Sequence, residues 1–466
     1  TLGDLVADGL AANPATAFFV AASRLPLLRV PTSLREGFLN YDPTLDRTAN
    51  SYIARLEYDA DFATFTSVSS FRQLEATDTR DLDGSSLDAI SQTGIEESDQ
   101  FTQEVRLTSN PEGALSFGGR LDWIVGAFYY KDESSRADLF RIGEDSAVRA
   151  ALGTPAFDNV FTDYESSSYA FFGQATLHFG EQFDITVGAR FTEDTKDVVF
   201  TDTTTDASPI ISAAFTTSRS ATYDSFDPRV VATYRFTPDI NVYASYSTGF
   251  KSGGFQYAPF NLAAANTLFN PEDITTYEIG LKSEFADNRI RFNAAAFTYE
   301  YQDLQISRII DTASGPQTLI SNAASSTING LDLELLLRPI DQLDISFTYG
   351  FLDATYDNYV FNLTQNLVFS GTRLVRAPSN SLNVGVEYRA DLSDRPLTLR
   401  ADFAFTDTFF HEPGEGNPVF GSGIPLTVEQ SYGLLDLKAT YEYTDNIRVS
   451  AYVNNVADVE YRRTVN

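Results

Sequence analysis

The feature that most constrains this chain is the way its strand-like segments are joined. About sixteen segments between residues 51 and 455 alternate apolar and polar residues with period two, which is typical of half-buried β-strands. In FDITVGARFT (183–192), Phe183, Ile185 and Val187 take one face, and Asp184 and Thr186 take the other. Tight turns are predicted at 59–61, 180–182, 237–239, 286–288, 339–341 and 444–446, with longer ones near 110–119 and 391–395.

Long polar segments alternate with these turns without exception. They fall at 78–100, 133–163, 193–222, 252–273, 310–326, 356–371 and 411–430. Soluble domains keep most connections to about 4–6 residues, whereas outer-membrane barrels have short periplasmic turns and long extracellular loops. Aromatic residues cluster at both ends of the segments, as they do at two membrane interfaces. We therefore predict an all-β fold: a large antiparallel transmembrane β-barrel with about sixteen legible strands.

Composition narrows the class of protein further. The 466 residues include no cysteine, which excludes disulfides and thiolate metal sites, and no methionine. A net charge of −31 argues against a nucleic-acid partner. The absence of an initiating methionine suggests that Thr1 is an internal start and that the chain is a piece of a longer protein.

The most specific stretch of the sequence is NVYASYSTGFKSGGF (241–255), which is followed by NPEDITTYEIGLKSEF (270–285). Val242, Ala244 and Tyr246 are predicted to face lipid, and the glycine-rich end is predicted to mark where the strand leaves the bilayer. Six other strand-like segments also stand out. In chain order they are FTQEVRLTS (101–109), WIVGAFYYKDE (123–133), VGARFTEDTKD (187–197), FNAAAFTYEYQDLQI (292–306), INGLDLELLLRP (328–339) and VNNVADVEYR (453–462).

This series resembles the barrel of TonB-dependent outer-membrane receptors of the siderophore-receptor type. The resemblance implies a 22-stranded barrel, of which residues 1–466 would be a partial barrel domain. Residues 1–46 would be an extracellular loop and strand lead-in. The plug domain, the first strands and the last strand would be absent.

The function implied by the resemblance is active uptake across the bacterial outer membrane. The expected cargo is a scarce ligand, most often a ferric siderophore, imported with energy supplied by TonB. Vitamin B12 or oligosaccharide cargo, a passive porin-like channel and a soluble all-β binding protein are the alternatives. The expected partners are outer-membrane lipid, TonB acting through the missing plug region, and a small-molecule chelate. No enzymatic activity and no cofactor are expected, since no catalytic or metal-binding constellation is visible in the sequence.

Two sets of candidate site residues follow. A cation and aromatic rings near the strand exits would suit an anionic or aromatic chelate, and a loop histidine could reach a metal complex. The ligand candidates are Lys251, Phe255, Tyr257, Phe260, Phe409, Phe410 and His411. Charged residues at alternate strand positions are expected to face the lumen and contact a plug, although a solvated inner wall is the alternative. These are Glu104 with Arg106, Glu278 with Lys282, and Asp332 and Glu334 with Arg338; His178 is expected to be a further lumen residue.

Overall fold

Sixteen strands of seven or more residues run through the described part of the chain and pair in sequence order. The computed structural model describes Arg29 and residues 38–83, 85–146, 149, 156–204, 213–259, 261–312, 315–362, 367–415 and 428–462. The strands are β1 Thr44–Asp59, β2 Ala63–Asp81, β3 Ile90–Ser109, β4 Leu121–Ile142, β5 Ala156–Phe179, β6 Phe183–Thr204, β7 Phe215–Thr237, β8 Ile240–Lys251, β9 Glu272–Phe285, β10 Ile290–Thr312, β11 Gly315–Ile340, β12 Leu343–Asn362, β13 Asn380–Leu392, β14 Arg395–Thr406, β15 Tyr432–Thr444 and β16 Ile447–Val453.

All sixteen belong to one antiparallel sheet, together with the two-residue strand Leu367–Val368. Each strand pairs with the strands before and after it in the chain. Within the described residues, β1 pairs only with β2, and β16 only with β15. The described helices are one 3₁₀ turn, Ala114–Ser116, and the four-residue α1, Leu262–Ala265. None of the described helices is long and apolar enough to cross a membrane.

The predicted tight turns join β1 to β2, β5 to β6, β7 to β8, β9 to β10, β11 to β12 and β15 to β16. The period-two pattern indicated each of these positions. Between β13 and β14 the connection is shorter than expected, because Ser393 and Asp394 complete it alone. Both have positive φ, 54° and 62°, which is the backbone geometry of a two-residue type I′ hairpin turn. The all-β antiparallel architecture with tight turns at one end is therefore confirmed.

The other end of the sheet differs from the prediction. β4 and β5 have 22 and 24 residues, about twice the 9–11 residues that cross a membrane. Much of 78–100, 133–163, 193–222 and 310–326, predicted as loop, is strand: β10 reaches Thr312 and β11 starts at Gly315. Beyond the bilayer the apolar alternation fades, but the backbone ladder continues, so hydrophobic periodicity alone ends these strands too early.

The two faces of the sheet differ in polarity. Large apolar side chains are exposed on the outward face, among them Phe171 (60 %), Phe226 (65 %) and Ile279 (62 %). Such exposure is typical of a lipid-facing surface. Tyr246, predicted to face lipid, packs against the exposed Tyr277 with ring centroids 5.3 Å apart.

Candidate functional site

The connection between β8 and β9 is folded rather than open. Residues 252–259 and 261–271 form what we call the inward segment. Gly254–Phe255 pairs with Leu268–Phe269 as a small antiparallel ladder. Between them, Asn261 caps α1 by accepting a hydrogen bond from the Ala264 amide at 2.8 Å. The segment therefore has internal structure of its own.

Two side chains from the wall hold both ends of the inward segment. The Gln305 amide donates to the carbonyls of Lys251, Ser252 and Asn270 at 3.3, 3.0 and 3.0 Å. Asn322 donates to the Asn270 carbonyl at 2.9 Å. A single side chain thus binds the last residue of β8 and Asn270, two residues before β9, and so joins the glycine-rich exit to the NPE stretch.

Gly253 is required at its position by close approach. A Cβ there would lie 2.5 Å from the Phe269 carbonyl oxygen and 2.6 Å from the Tyr223 ring. The Lys196 ammonium also donates to the Gly253 carbonyl at 2.6 Å. The glycine therefore lets the backbone lie directly against the wall of β6 and β7.

The inward segment reaches strands on both sides of its base. Gln256 accepts from the Ile320 amide of β11 at 2.7 Å and donates to its carbonyl at 2.9 Å. The Tyr257 hydroxyl donates to Asp138 of β4 at 3.2 Å. One connection thus spans from β4 to β11, so the sheet curves around it and the segment lies on the concave face.

Tyr257 meets a charged cluster centred on Arg136. The guanidinium lies 5.4 Å from the Tyr257 ring centroid, in a cation–π arrangement. It contacts Asp138 at 3.0 Å, Glu96 at 2.9 Å and Asp78 at 3.4 Å. Gln92 also donates to Asp138 at 2.6 Å, and Asp78 pairs with Arg80 at 2.6 Å. Three carboxylates thus share two cations.

Burial and charge set the protonation of this cluster, which stands above the membrane-spanning part of β4. Burial opposes the charge of Arg136, but the hydrogen bond and charge of Asp138 outweigh it and raise the Arg136 pKa. Burial and the Asp138 charge raise the Tyr257 pKa. At neutral pH the tyrosine is therefore a hydroxyl donor and the arginine a permanent cation.

The ligand candidates on the inward segment differ in accessibility. Tyr257 is 56 % exposed and Lys251 is also exposed. Phe255 is buried and packs against Val198 and Phe200, so its side chain holds the segment to the wall. Phe260 lies outside the described residues. Whether any of them contacts cargo stays a prediction.

Phe409, Phe410 and His411 lie on another connection, between β14 and β15. Phe409–Phe410 pairs with Val428–Glu429, and the Arg373 guanidinium lies 4.6 Å from the Phe410 ring centroid. His411 is 7 % exposed, and neither ring nitrogen has a hydrogen-bond partner among the described residues. Burial lowers the His411 pKa, the Glu429 charge opposes this, and Arg376 and Arg462 add to it. The imidazole is therefore neutral at pH 7.

The candidate lumen residues form a different set of pairs from the expected one. Arg106 does pair with Glu104, at 2.7 Å. Glu278 instead accepts from the Tyr243 hydroxyl at 2.5 Å, and the Lys282 ammonium lies 5.7 Å from the same tyrosine ring centroid. Four residues along a strand span about 13 Å, so cross-strand neighbours meet more readily than Glu278 and Lys282 do.

Farther round the wall, Arg338 pairs with Asp344 at 2.6 Å, and Glu334 accepts from Asn293 at 2.9 Å. Arg338 thus binds across the β11–β12 turn rather than along its own strand to Asp332 or Glu334. Charges alternate across β11–β14 in a continuous ladder of Arg338, Asp344, Arg389, Glu387, Arg400 and Asp402. Contact of any of these residues with a plug stays a prediction.

His178 lies beside the β5–β6 turn. Its ring nitrogens are 2.7 Å from Asp184 and 2.9 Å from Asp122, and Asp184 also pairs with Arg235. The histidine therefore links β4, β5 and β6 by hydrogen bonds at the tight-turn end. In the described part of the chain, no group of three or more histidine or acidic side chains is arranged to hold a metal ion.

Sequence reasoning missed Arg136, Asp138 and Gln256. The first two lie in the stretch predicted as a polar loop, although ESSRADLF keeps a weak alternation that could have placed them on one face. Gln256 carries no local signal, because its partner is 64 residues away.

Comparison with known proteins agrees with this architecture. Residues 7–456 match the family described as TonB dependent receptor-like, beta-barrel. The chain is 24 % identical over 258 residues to the probable TonB-dependent siderophore receptor PiuA of Acinetobacter baumannii, covering 53 % of this chain and 32 % of that protein. It is 24 % identical over 331 residues to the pesticin receptor of Yersinia pestis, covering 70 % of this chain and 44 % of that protein.

A similar solved structure is the ferric yersiniabactin uptake receptor FyuA of Yersinia pestis. The TM-score is 0.72 at 19 % identity, over 91 % of this chain and 58 % of the other. At this identity the likeness shows the fold. The chain spans less than half the length of the two curated relatives.

The sheet, its lipid-facing apolar side and its polar concave side define an outer-membrane β-barrel protein. The chain belongs to the TonB-dependent receptor family, within the β-barrel domain of that family.

Proposed function

We propose that this chain is the barrel part of a receptor that binds a scarce metal–chelate complex outside the cell and imports it into the periplasm. A ferric siderophore is the proposed cargo, and energy from TonB the proposed driving force. The observation that carries the proposal is the family match over residues 7–456. The similarity to PiuA, a probable siderophore receptor, and to FyuA, a ferric yersiniabactin uptake receptor, supports this choice of cargo.

The geometry suits binding and passage rather than covalent chemistry. The inward segment puts Tyr257, 56 % exposed, beside the Arg136 cluster on the concave face. An exposed phenol can stack on aromatic groups of a chelator and can hydrogen-bond to its polar groups. In this proposal the barrel supplies shape and binding, while a plug region and TonB supply controlled release.

The experiment is uptake of radioactive iron by cells that lack their own siderophore receptors and express the full-length protein. We expect uptake of at least one ferric siderophore, and loss of that uptake in a matched strain without TonB. Equal uptake in both strains would refute energised transport. A steady open conductance of the full-length protein in planar bilayers would favour the passive-channel alternative.

Cargo class is tested in the same cells. Cobalamin and maltodextrin, supplied in place of the siderophore, represent the vitamin B12 and oligosaccharide alternatives. Uptake of either one, without uptake of any ferric siderophore, would replace the proposed cargo and leave the TonB-dependent mechanism in place.

A further inference from the structure

A depression in the inner wall lies between the inward segment and the tight-turn end of the sheet. It has a volume of about 620 Å³, within the range of about 300–1,000 Å³ that is typical of small-molecule sites. Arg190 of β6 lines it and shares a face with Lys196, which holds Gly253 of the inward segment. Arg190 and Lys196 are about 20 Å apart along the strand. The described lining includes no residue of the inward segment, so the depression is separate from the site at Tyr257.

Arg229 of β7 extends into the depression with small neighbours on both sides. It lies directly opposite Gly188 on β6 and Ser247 on β8, and it is exposed. Within the described ranges, its side chain forms no ion pair and no hydrogen bond. The five N–H donors of its guanidinium are therefore available to a ligand.

Arg190 also forms no ion pair with a described residue, although Asp227 lies directly opposite it on β7. Its guanidinium lies toward β4 and β5 instead, 5.6 Å from the ring centroid of Phe128 and 5.7 Å from that of Phe172. Its Nε donates to the Thr192 hydroxyl at 3.1 Å. Two aromatic rings thus hold the guanidinium in place, and no carboxylate neutralises its charge.

The two carboxylates that line the depression are already hydrogen-bonded. Asp227 accepts from the Ser225 and Thr248 hydroxyls at 3.0 and 3.3 Å. Glu278 accepts from the Tyr243 hydroxyl at 2.5 Å. The unused polar groups of the depression are therefore mainly N–H donors, which suit the oxygens of an anionic ligand.

Phe172 and Tyr299 supply aromatic rings to the same depression. Phe172 lies directly opposite Gly126, where a Cβ would be 2.4 Å from the ring, so the ring covers the glycine. Tyr299 stacks on Phe297 with ring centroids 4.5 Å apart. These contacts fix both rings against the wall, where they can pack against a planar group of a ligand.

We propose that this depression is a second binding station for the cargo, which takes an anionic, aromatic part of a metal chelate after the chelate has left Tyr257. Arg190 and Arg229 bind carboxylate or phenolate oxygens, and Phe172 and Tyr299 pack against the aromatic ring. The inference deepens the proposed function and rests on it for the class of ligand. It gives the chelate a defined position on the wall between the outer opening and the periplasm.

The test is binding of a coloured iron complex to the purified full-length protein in the absence of TonB. The 466 residues contain no cysteine, so Val230→Cys gives one labelling site in this chain, next to Arg229 and 41 % exposed on the outward face. The probe is the ferric complex of 2,3-dihydroxybenzoate, which is anionic and aromatic and quenches a nearby fluorophore. We expect saturable quenching of a label at this position, and none of a label at Leu437→Cys on β15, which is exposed and outside the depression. Ferric acetohydroxamate, which is neutral and has no aromatic ring, should not produce saturable quenching at either position.

Arg190→Gln and Arg229→Gln each remove one charge from the depression. Each should raise the half-saturating probe concentration about tenfold or more, because hydrogen bonds to a charged group are the stronger kind. Lys438→Gln is the matched control, since Lys438 is an exposed cation of β15 outside the depression. It should leave the half-saturating concentration unchanged.

An unchanged half-saturating concentration in both arginine variants, or equal quenching by the two iron complexes, would overturn the station. Absence of quenching at Val230→Cys would overturn it as well. If Arg190→Gln then also lowered the Tm of the full-length protein, another part of that protein would fill the depression instead of cargo. The binding measurement involves neither TonB nor uptake, so its failure would leave the transport proposal standing, and loss of uptake would leave a measured quenching in place.

Discussion

Replacing Gln256 with alanine is expected to release the inward segment from β11. Gln256 is 3 % exposed, and its amide makes two hydrogen bonds to the Ile320 backbone, at 2.7 and 2.9 Å. The Gln256 side chain thus bonds to the Ile320 backbone in the way that a neighbouring β-strand would. A third bond, to the Thr267 carbonyl at 3.3 Å, stays within the segment.

The size of the effect follows from the two bonds to β11. A neutral hydrogen bond contributes about 1 kcal/mol net, so their loss weakens docking by about 2 kcal/mol. Since about 1.4 kcal/mol corresponds to a factor of ten, the released state should become about 30-fold more populated. Alanine leaves the Ile320 amide and carbonyl without these partners, which makes this value a lower bound.

The assay is hydrogen–deuterium exchange followed by mass spectrometry on peptides covering 252–259 and 318–322. Exchange in both should accelerate by about the same factor, because one opening exposes both sides. Gln100→Ala is the matched control, since Gln100 donates to the Tyr130 hydroxyl on the wall at 3.1 Å and, within the described ranges, to no residue of the inward segment. Acceleration below about twofold, or in one peptide alone, would show that these bonds do not hold the segment.

Three further predictions test other parts of the structure. Arg136→Ala leaves buried Asp138 without its cation and should lower the free energy of unfolding by about 3–5 kcal/mol; adding Asp138→Asn should recover part of the loss in a double-mutant cycle. Gly280→Ala places a Cβ 2.4 Å from the Tyr243 ring and should cost about 1–3 kcal/mol in thermal unfolding, whereas Gly249→Ala, with its nearest neighbour at 3.5 Å, should be tolerated. Burial lowers the His411 pKa, so packing of residues 409–411 should weaken as pH falls below about 6; protease cleavage there should rise at pH 5, and His411→Leu should abolish that rise.

The tight-turn end of the sheet was predictable because every strand there alternates between lipid and water. The turns at 180–182 and 444–446 lie between clear period-two segments. The long-connection end was less predictable, since β4 and β5 continue where both faces are polar. There the backbone ladder, which sequence does not reveal directly, determines the fold.

The candidate site illustrates the same limit. Tyr257 was identified because an aromatic residue in a glycine-rich exit is conspicuous, but Phe255, two positions earlier, turned inward to the wall. Arg136 and Asp138 could be recognised only in the structure, because the strand register places them beside Tyr257, which is more than a hundred residues away in the sequence. The ion pairs on the wall followed cross-strand proximity rather than spacing along a strand.

The reach of the inward segment has a mechanical consequence. Its contacts to Asp138 on β4 and Ile320 on β11 connect the two ends of the curved wall between these strands. If β4 and β11 move apart, the segment is stretched until one of the two contacts breaks. If they move closer together, the segment is pressed onto the wall. As long as both contacts hold, a change in the width of this curved wall therefore also moves Tyr257.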